Sequence, residues 1–210
     1  MPGTFNGTTL TISATPVDHA LIPDEGATNV AGIAIVGSDM YCVKTTGLKT
    51  TLLKTTDYMA TKATAVKKDL NWFALGLTKI GNYLYMLAED HKGYGGSTTI
   101  VKLDTKGNQL GTYSINEICP KGALGITAAD GTNEKFIIMH YADKSNAGTL
   151  TFSVVDWKAA KAASTFTVTN SGFGYTTQLQ DIYYHTSFGL FILTNNTFST
   201  LQNRILVVDY

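Results

Sequence analysis

The feature that most constrains this 210-residue chain is a structural unit that occurs four times. Four short apolar segments contain Tyr41, Tyr85, Ile137 and Phe191, which lie 44, 52 and 54 residues apart. Each segment follows a turn signal: Gly37-Ser38-Asp39, Gly81-Asn82, Asp130-Gly131 and Ser187-Phe188-Gly189. A strand-like piece precedes each turn, beginning at Gly32, Gly76, Gly125 and Asp181. Two strand-like runs joined by a tight turn predict a hairpin. A third strand then ends on an aspartate, at Asp57, Asp104, Asp156 and Asp209, and three of these are followed by an aromatic residue (Tyr58, Trp157 and Tyr210). A fourth strand is predicted near Thr64, Leu110 and Ser164, and none follows Asp209. Periods of this length imply repeated supersecondary units that bury their faces against one another.

Composition agrees with strands throughout. Threonine is abundant, and Tyr and Phe number 11 and 9. These residues favour a pleated, half-buried surface. The segment Thr8–Thr15 alternates polar and apolar side chains. Paired beside the strand that ends at Val208, it would complete the last unit and cover its edge. Four-stranded units of about 50 residues, with the two chain ends sharing one unit, resemble the β-propeller superfamily. The resemblance covers Thr8 to Tyr210 and implies an all-β, four-bladed ring forming one domain over residues 1–210. A part of a larger propeller, or half of one assembled from two chains, is the alternative. The Trp-Asp ending of WD repeats, the paired glycines of kelch blades, the sialidase box and the hemopexin pattern are absent, so no family's functional residues carry over.

Charge excludes several roles. Lys+Arg and Asp+Glu are 16 each, and only 15% of residues are charged. A chain with zero formal net charge has no bulk electrostatic attraction to nucleic acid or to an anionic membrane. No apolar run approaches the roughly 18 residues a spanning helix needs. Cys42 and Cys119 show no metal or redox spacing and read as two buried small residues. The opening Met1-Pro2-Gly3-Thr4-Phe5 lacks a basic segment followed by an apolar one. A place outside the cell, on its surface or on a virion is nevertheless favoured over the cytoplasm. The two sequon matches at Asn6 and Asn195 are expected by chance in a chain rich in Asn and Thr.

Enzyme signatures are missing: no phosphate-binding loop, H-E-x-x-H, calcium-binding loop or G-x-S-x-G elbow occurs. No cofactor or metal is expected. Function is therefore placed on loops, where a rigid scaffold tolerates variation. Two loops stand out. One holds Asp90, His91 and Tyr94 among glycines, pairing hydrogen-bonding groups with a ring that can stack. The other, Ser171 to Gln178, sets Phe173 and Tyr175 between glycines as a stacking platform. Tyr141 begins a third loop. Asp181 puts a carboxylate where the other three repeats have Gly32, Gly76 and Gly125. The recurrent aspartates ending the third strands are assigned to turn capping. These residues predict a non-catalytic module that binds a glycan or a protein through Asp90, His91, Tyr94, Tyr141, Phe173, Tyr175 and Asp181. A structural or decoration subunit of a larger assembly, and a carbohydrate-active hydrolase or lyase, are the two other readings.

Overall fold

The structure, a computed structural model, describes residues 3–5, 10–12, 29–56, 63–90, 97–130, 133–141, 149–159, 161–169, 177–196 and 204–208. Every regular element among them is a strand. The chain is a four-bladed β-propeller. Blade 1 consists of β3 (Asn29–Val36), β4 (Asp39–Thr46), β5 (Lys49–Thr55) and β6 (Thr64–Leu70), and blade 2 of β7 (Trp72–Ile80), β8 (Tyr83–Asp90), β9 (Thr98–Leu103) and β10 (Gln109–Ser114). Blade 3 contains β11 (Ala123–Asp130), β12 (Lys135–His140), β13 (Thr149–Asp156) and β14 (Lys161–Thr169). Blade 4 has three strands, β15 (Thr177–His185), β16 (Gly189–Asn196) and β17 (Arg204–Val208). All pairings are antiparallel, and β3, β7, β11 and β15 are the innermost strands.

Two-residue turns join Val36 to Asp39 and Ile80 to Tyr83, as the turn signals predict. Among the described strand-ending aspartates, Asp104 accepts hydrogen bonds from the N–H groups of Lys106 and Asn108 at 2.9 and 2.8 Å. Asp156 does the same for Lys158 and Ala159 at 2.9 and 3.1 Å. Both therefore cap turns; Asp57 and Asp209 lie outside the described residues. Cys42 and Cys119 are free, buried thiols, and burial pushes them up to about 11 and about 12.

One expectation about the ends needs correction. The described part of the opening segment, β2 (Leu10–Ile12), pairs with β1 (Gly3–Phe5) in a separate two-stranded sheet, not with the strand ending at Val208. A hairpin closed over a few residues costs far less chain entropy than pairing across almost the whole sequence. The last sheet consequently has three strands among the described residues.

The core lies between blades. In β8 nearly every side chain is buried, because the strand is covered on both faces. Leu84, Met86 and Ala88 pack back against Tyr41, Val43 and Leu52 of blade 1, while Tyr85 and Leu87 pack forward against Ile126 and Phe136 of blade 3. A strand buried on both faces reads as a continuous apolar run and loses the two-residue alternation. Blades 3 and 4 meet through Ile137, Met139, Phe152, Ile182 and Ile192. The inner strands approach closely, so a side chain at either of two waist glycines would press on the next blade. A Cβ added to Gly76 would lie 3.2 Å from the Ile126 Cγ2, and one on Gly125 would lie 3.3 Å from the Ile182 backbone nitrogen. Threonine hydroxyls bridge the same junctions. Thr78 accepts the Ala128 N–H at 3.2 Å, and its blade-3 counterpart Thr127 accepts the Tyr184 N–H at 3.0 Å.

Candidate functional site

Of the seven residues singled out in the sequence, His91, Tyr94, Phe173 and Tyr175 lie outside the described residues. Asp90 ends β8, where its carboxylate accepts the Ser97 N–H at 3.3 Å. Tyr141 follows β12 with an exposed ring, held by a hydrogen bond from its N–H to the Gly122 carbonyl at 2.9 Å. Glu89, which precedes Asp90, and Tyr141 both approach Gly122 at the junction between blades 2 and 3.

Asp181 lies deeper, on β15 beside the axis. Its Oδ1 is 3.4 Å from where a Cβ on Gly125 would stand and 3.8 Å from that on Gly76. Protein surrounds the carboxyl densely while the residue keeps an edge on solvent. Burial pushes it up to about 7, opposed only in part by the Ile182 N–H it accepts at 2.9 Å. The departure from the glycine rule is therefore a real chemical difference: one blade places a carboxyl where the others place nothing.

A second concave site lies on the opposite face, where the short turns cluster. It is a groove of about 360 Å³ between blades 2 and 3, lined by Tyr83, Lys102, Trp157 and the β10 residues Leu110, Gly111, Thr112 and Tyr113. The Asp156 cap fixes the turn that presents Trp157, and the Trp157 N–H donates to the Glu134 carbonyl at 3.0 Å. Its indole meets Tyr85 edge-on at 5.6 Å and Tyr113 edge-on at 6.2 Å. Lys102 Nζ stands 4.3 Å above the Tyr83 ring. Gly111 leaves the floor open; a Cβ there would make an ordinary contact of 3.5 Å with Trp157.

Charge at this groove is internally balanced. Glu134 accepts hydrogen bonds from both Lys102 Nζ and the Tyr85 hydroxyl. Burial alone would push the Glu134 carboxyl up, but these two partners outweigh it and hold the carboxyl below its usual range. Burial, then the Glu134 carboxylate, raises the Tyr85 hydroxyl well above the ordinary tyrosine value. Blade 1 repeats the constellation. Tyr41 and Lys54, paired across β4 and β5 as Tyr85 and Lys102 are across β8 and β9, both bond to Asp39, at 3.4 and 3.0 Å.

Sequence reasoning missed this groove because its walls come from two blades. The usable signal was the aromatic after Asp156: the aspartate explains the turn, but nothing in capping calls for Trp157. The repeated Tyr and Lys on neighbouring strands was a second signal, legible only once the strands were in register.

No protein-family model matches the chain, and no curated protein matches it either. Solved structures match it in fold. Hydrazine synthase of Kuenenia stuttgartiensis is 12% identical, with a TM-score of 0.52 over 85% of this chain and 50% of that one. Glutaminyl cyclase of Myxococcus xanthus is 13% identical, with a TM-score of 0.51 over 86% and 74%. The exo-beta-1,3-galactanase of Phanerochaete chrysosporium, solved with galactose, is 12% identical, with a TM-score of 0.56 over 86% and 47%. The chain thus spans about half the length of the first and third. Proteins with three different names share the architecture at this level, so the likeness is one of fold alone.

Proposed function

We propose that the protein is a non-catalytic binding propeller and that the groove between blades 2 and 3 receives a neutral carbohydrate. The observation that carries this reading is the aromatic wall of Trp157, Tyr113 and Tyr83 over a floor cleared by Gly111. Aromatic faces and edges suit the apolar C–H patches of a pyranose, while Thr112 and the tyrosine hydroxyls offer neutral hydrogen bonds. Lys102 is already matched by Glu134, so the groove offers no surplus charge to attract an anionic ligand. A hydrolytic glycosidase needs two carboxyl groups flanking the bond it breaks. Glu134, the carboxylate at this groove, is held ionised by Lys102 and Tyr85, and Asp181 belongs to another blade. The likeness in fold to a galactanase solved with galactose makes galactose-containing glycans the first probes.

A glycan array followed by calorimetric titration tests the proposal. Trp157→Ala is expected to weaken binding by about tenfold or more, a loss of at least ~1.4 kcal/mol typical of removing a stacking ring. Gly111→Val, which fills the floor, should do the same with the wall intact. Tyr141→Ala on the loop face should leave binding unchanged. Loss of binding in Tyr141→Ala but not in Trp157→Ala would move the site to the loop face and overturn the groove.

A further inference from the structure

The internal repeat shows how the charge of the groove is set. In blade 1, Lys54 bonds to Asp39, the first residue of β4, and Tyr41 bonds to the same carboxylate. Lys102 holds the position of Lys54 in blade 2, since Lys54 pairs across the sheet with Tyr41 and Lys102 with Tyr85. The first residue of β8, however, is Tyr83 and not an aspartate. The Lys102 ammonium stands over that ring, and its carboxylate partner comes from the next blade, as Glu134 in the turn between β11 and β12. The matching turn residue of blade 2 is Asn82, which carries no charge. Tyr83 and Lys102 both line the groove. A ring therefore faces the ligand space where blade 1 has an acid, and the acid reaches the lysine across the junction. Both side chains of the ion pair are mostly buried, so solvent and salt screen it poorly. Lys158, exposed in the turn beside Trp157, adds a second positive charge near Glu134.

We infer that Glu134 fixes the charge of the ligand this groove accepts. Its carboxylate cancels the Lys102 ammonium, so the groove refuses anionic ligands, acidic sugars among them. Without it, Lys102 faces the ligand unmatched and the same groove takes uronate-containing glycans. The glycan part of this inference rests on the reading of the groove as a carbohydrate site. Glu134 then determines specificity through Lys102 and without contact of its own. A carboxylate entering beside Lys102 would meet Glu134 as a like charge, and selectivity by such repulsion against the wrong ligand is a common device.

Calorimetric titration of the full chain with a neutral galacto-oligosaccharide and with an oligogalacturonide tests the inference. The wild type is expected to bind the neutral probe about tenfold or more tighter than the acidic one. Glu134→Gln keeps the shape of the side chain and should shift the ratio of the two affinities toward the acidic probe by about fivefold or more in ~20 mM salt, and lose most of that shift in ~0.5 M salt. Adding Lys102→Gln to that variant should remove the shift. A second readout needs no glycan. The chain has two tryptophans, so in a Trp72→Phe background the fluorescence of Trp157 reports on the groove alone. Quenching by iodide should rise in Glu134→Gln and fall in Lys102→Gln, while quenching by neutral acrylamide stays the same. The Lys102→Gln arm stands on its own if Glu134→Gln does not fold. Wild-type binding that ignores ligand charge, or iodide quenching equal in all three proteins, would overturn the inference. Iodide shifts as expected with neither glycan bound would overturn the carbohydrate reading and support Glu134 as the group that masks Lys102.

Discussion

Gly32→Ala is expected to destabilise the protein by more than about 3 kcal/mol, whereas Gly37→Ala costs only about 1 kcal/mol. Both glycines have φ near +61°, so both substitutions carry the left-handed backbone penalty. They differ in what a methyl group would meet. At Gly37, in the exposed turn between β3 and β4, nothing lies within 4 Å. At Gly32 the new Cβ would stand 2.0 Å from the Leu77 backbone nitrogen and 2.6 Å from its Cβ. A backbone atom in β7 cannot step aside as a side-chain tip does. Relief requires blade 1 to move off blade 2, exposing the core formed by Ala34, Val43, Leu77 and Met86. Urea unfolding of the two variants beside the wild type measures the difference directly. Equal losses at the two sites would show that backbone conformation alone matters at Gly32 and that the close approach of the strands is wrong.

Asp181→Asn is expected to stabilise the protein at pH 8 by between about 2 and 4 kcal/mol and to change little at pH 3. The sign follows from the direction of the shift. The carboxyl titrates at about 7 in the folded chain and at 3.8 when unperturbed, so the folded state resists ionisation. Below pH 3.8 both states are protonated and nothing is lost. As the pH rises from 4 to 7, the unfolded chain gives up its proton while the folded one keeps it, and stability falls until the pH passes the folded value. The lower part of the stated range discounts the full shift for the solvent edge that Asp181 retains. Asparagine has nearly the same shape, still accepts the Ile182 N–H, and carries no charge at any of these pH values. Unfolding free energies from pH 3 to pH 8.5 should decline in the wild type and lack this component in the variant. Parallel profiles would mean that Asp181 is hydrated or paired well enough to ionise normally.

These two residues, Gly32 and Asp181, stand at the same place in their repeats, and that equivalence was legible in the sequence. Repetition made it so. A repeat that must pack against its own neighbours reuses the same turn glycines, the same capping aspartates and the same small residue at the waist. The positions of the hairpins, the caps at Asp104 and Asp156, and the exceptional character of Asp181 could all be found by aligning the chain with itself.

Other features were beyond reach for equally physical reasons. The alternating pattern of Thr8–Thr15 announces a strand but not its partner, and the nearby Gly3–Phe5 is entropically the easier one. The loop-face assignment followed where variation is cheap, while the groove of Tyr83, Lys102, Tyr113 and Trp157 joins side chains from β8, β9, β10 and the turn after β13. Their proximity depends on how far blade 3 is rotated against blade 2.

The sequence by itself determined the count of blades, the strand order within each and the residues that turn the chain, because these depend on contacts between neighbours along the chain. Only the tertiary structure decided which ring faces meet, that Glu134 neutralises Lys102 across a junction, and that the face between the last blade and the first stands exposed. Those outcomes depend on the distance and angle between whole sheets, which a one-dimensional pattern of apolar and polar residues does not encode.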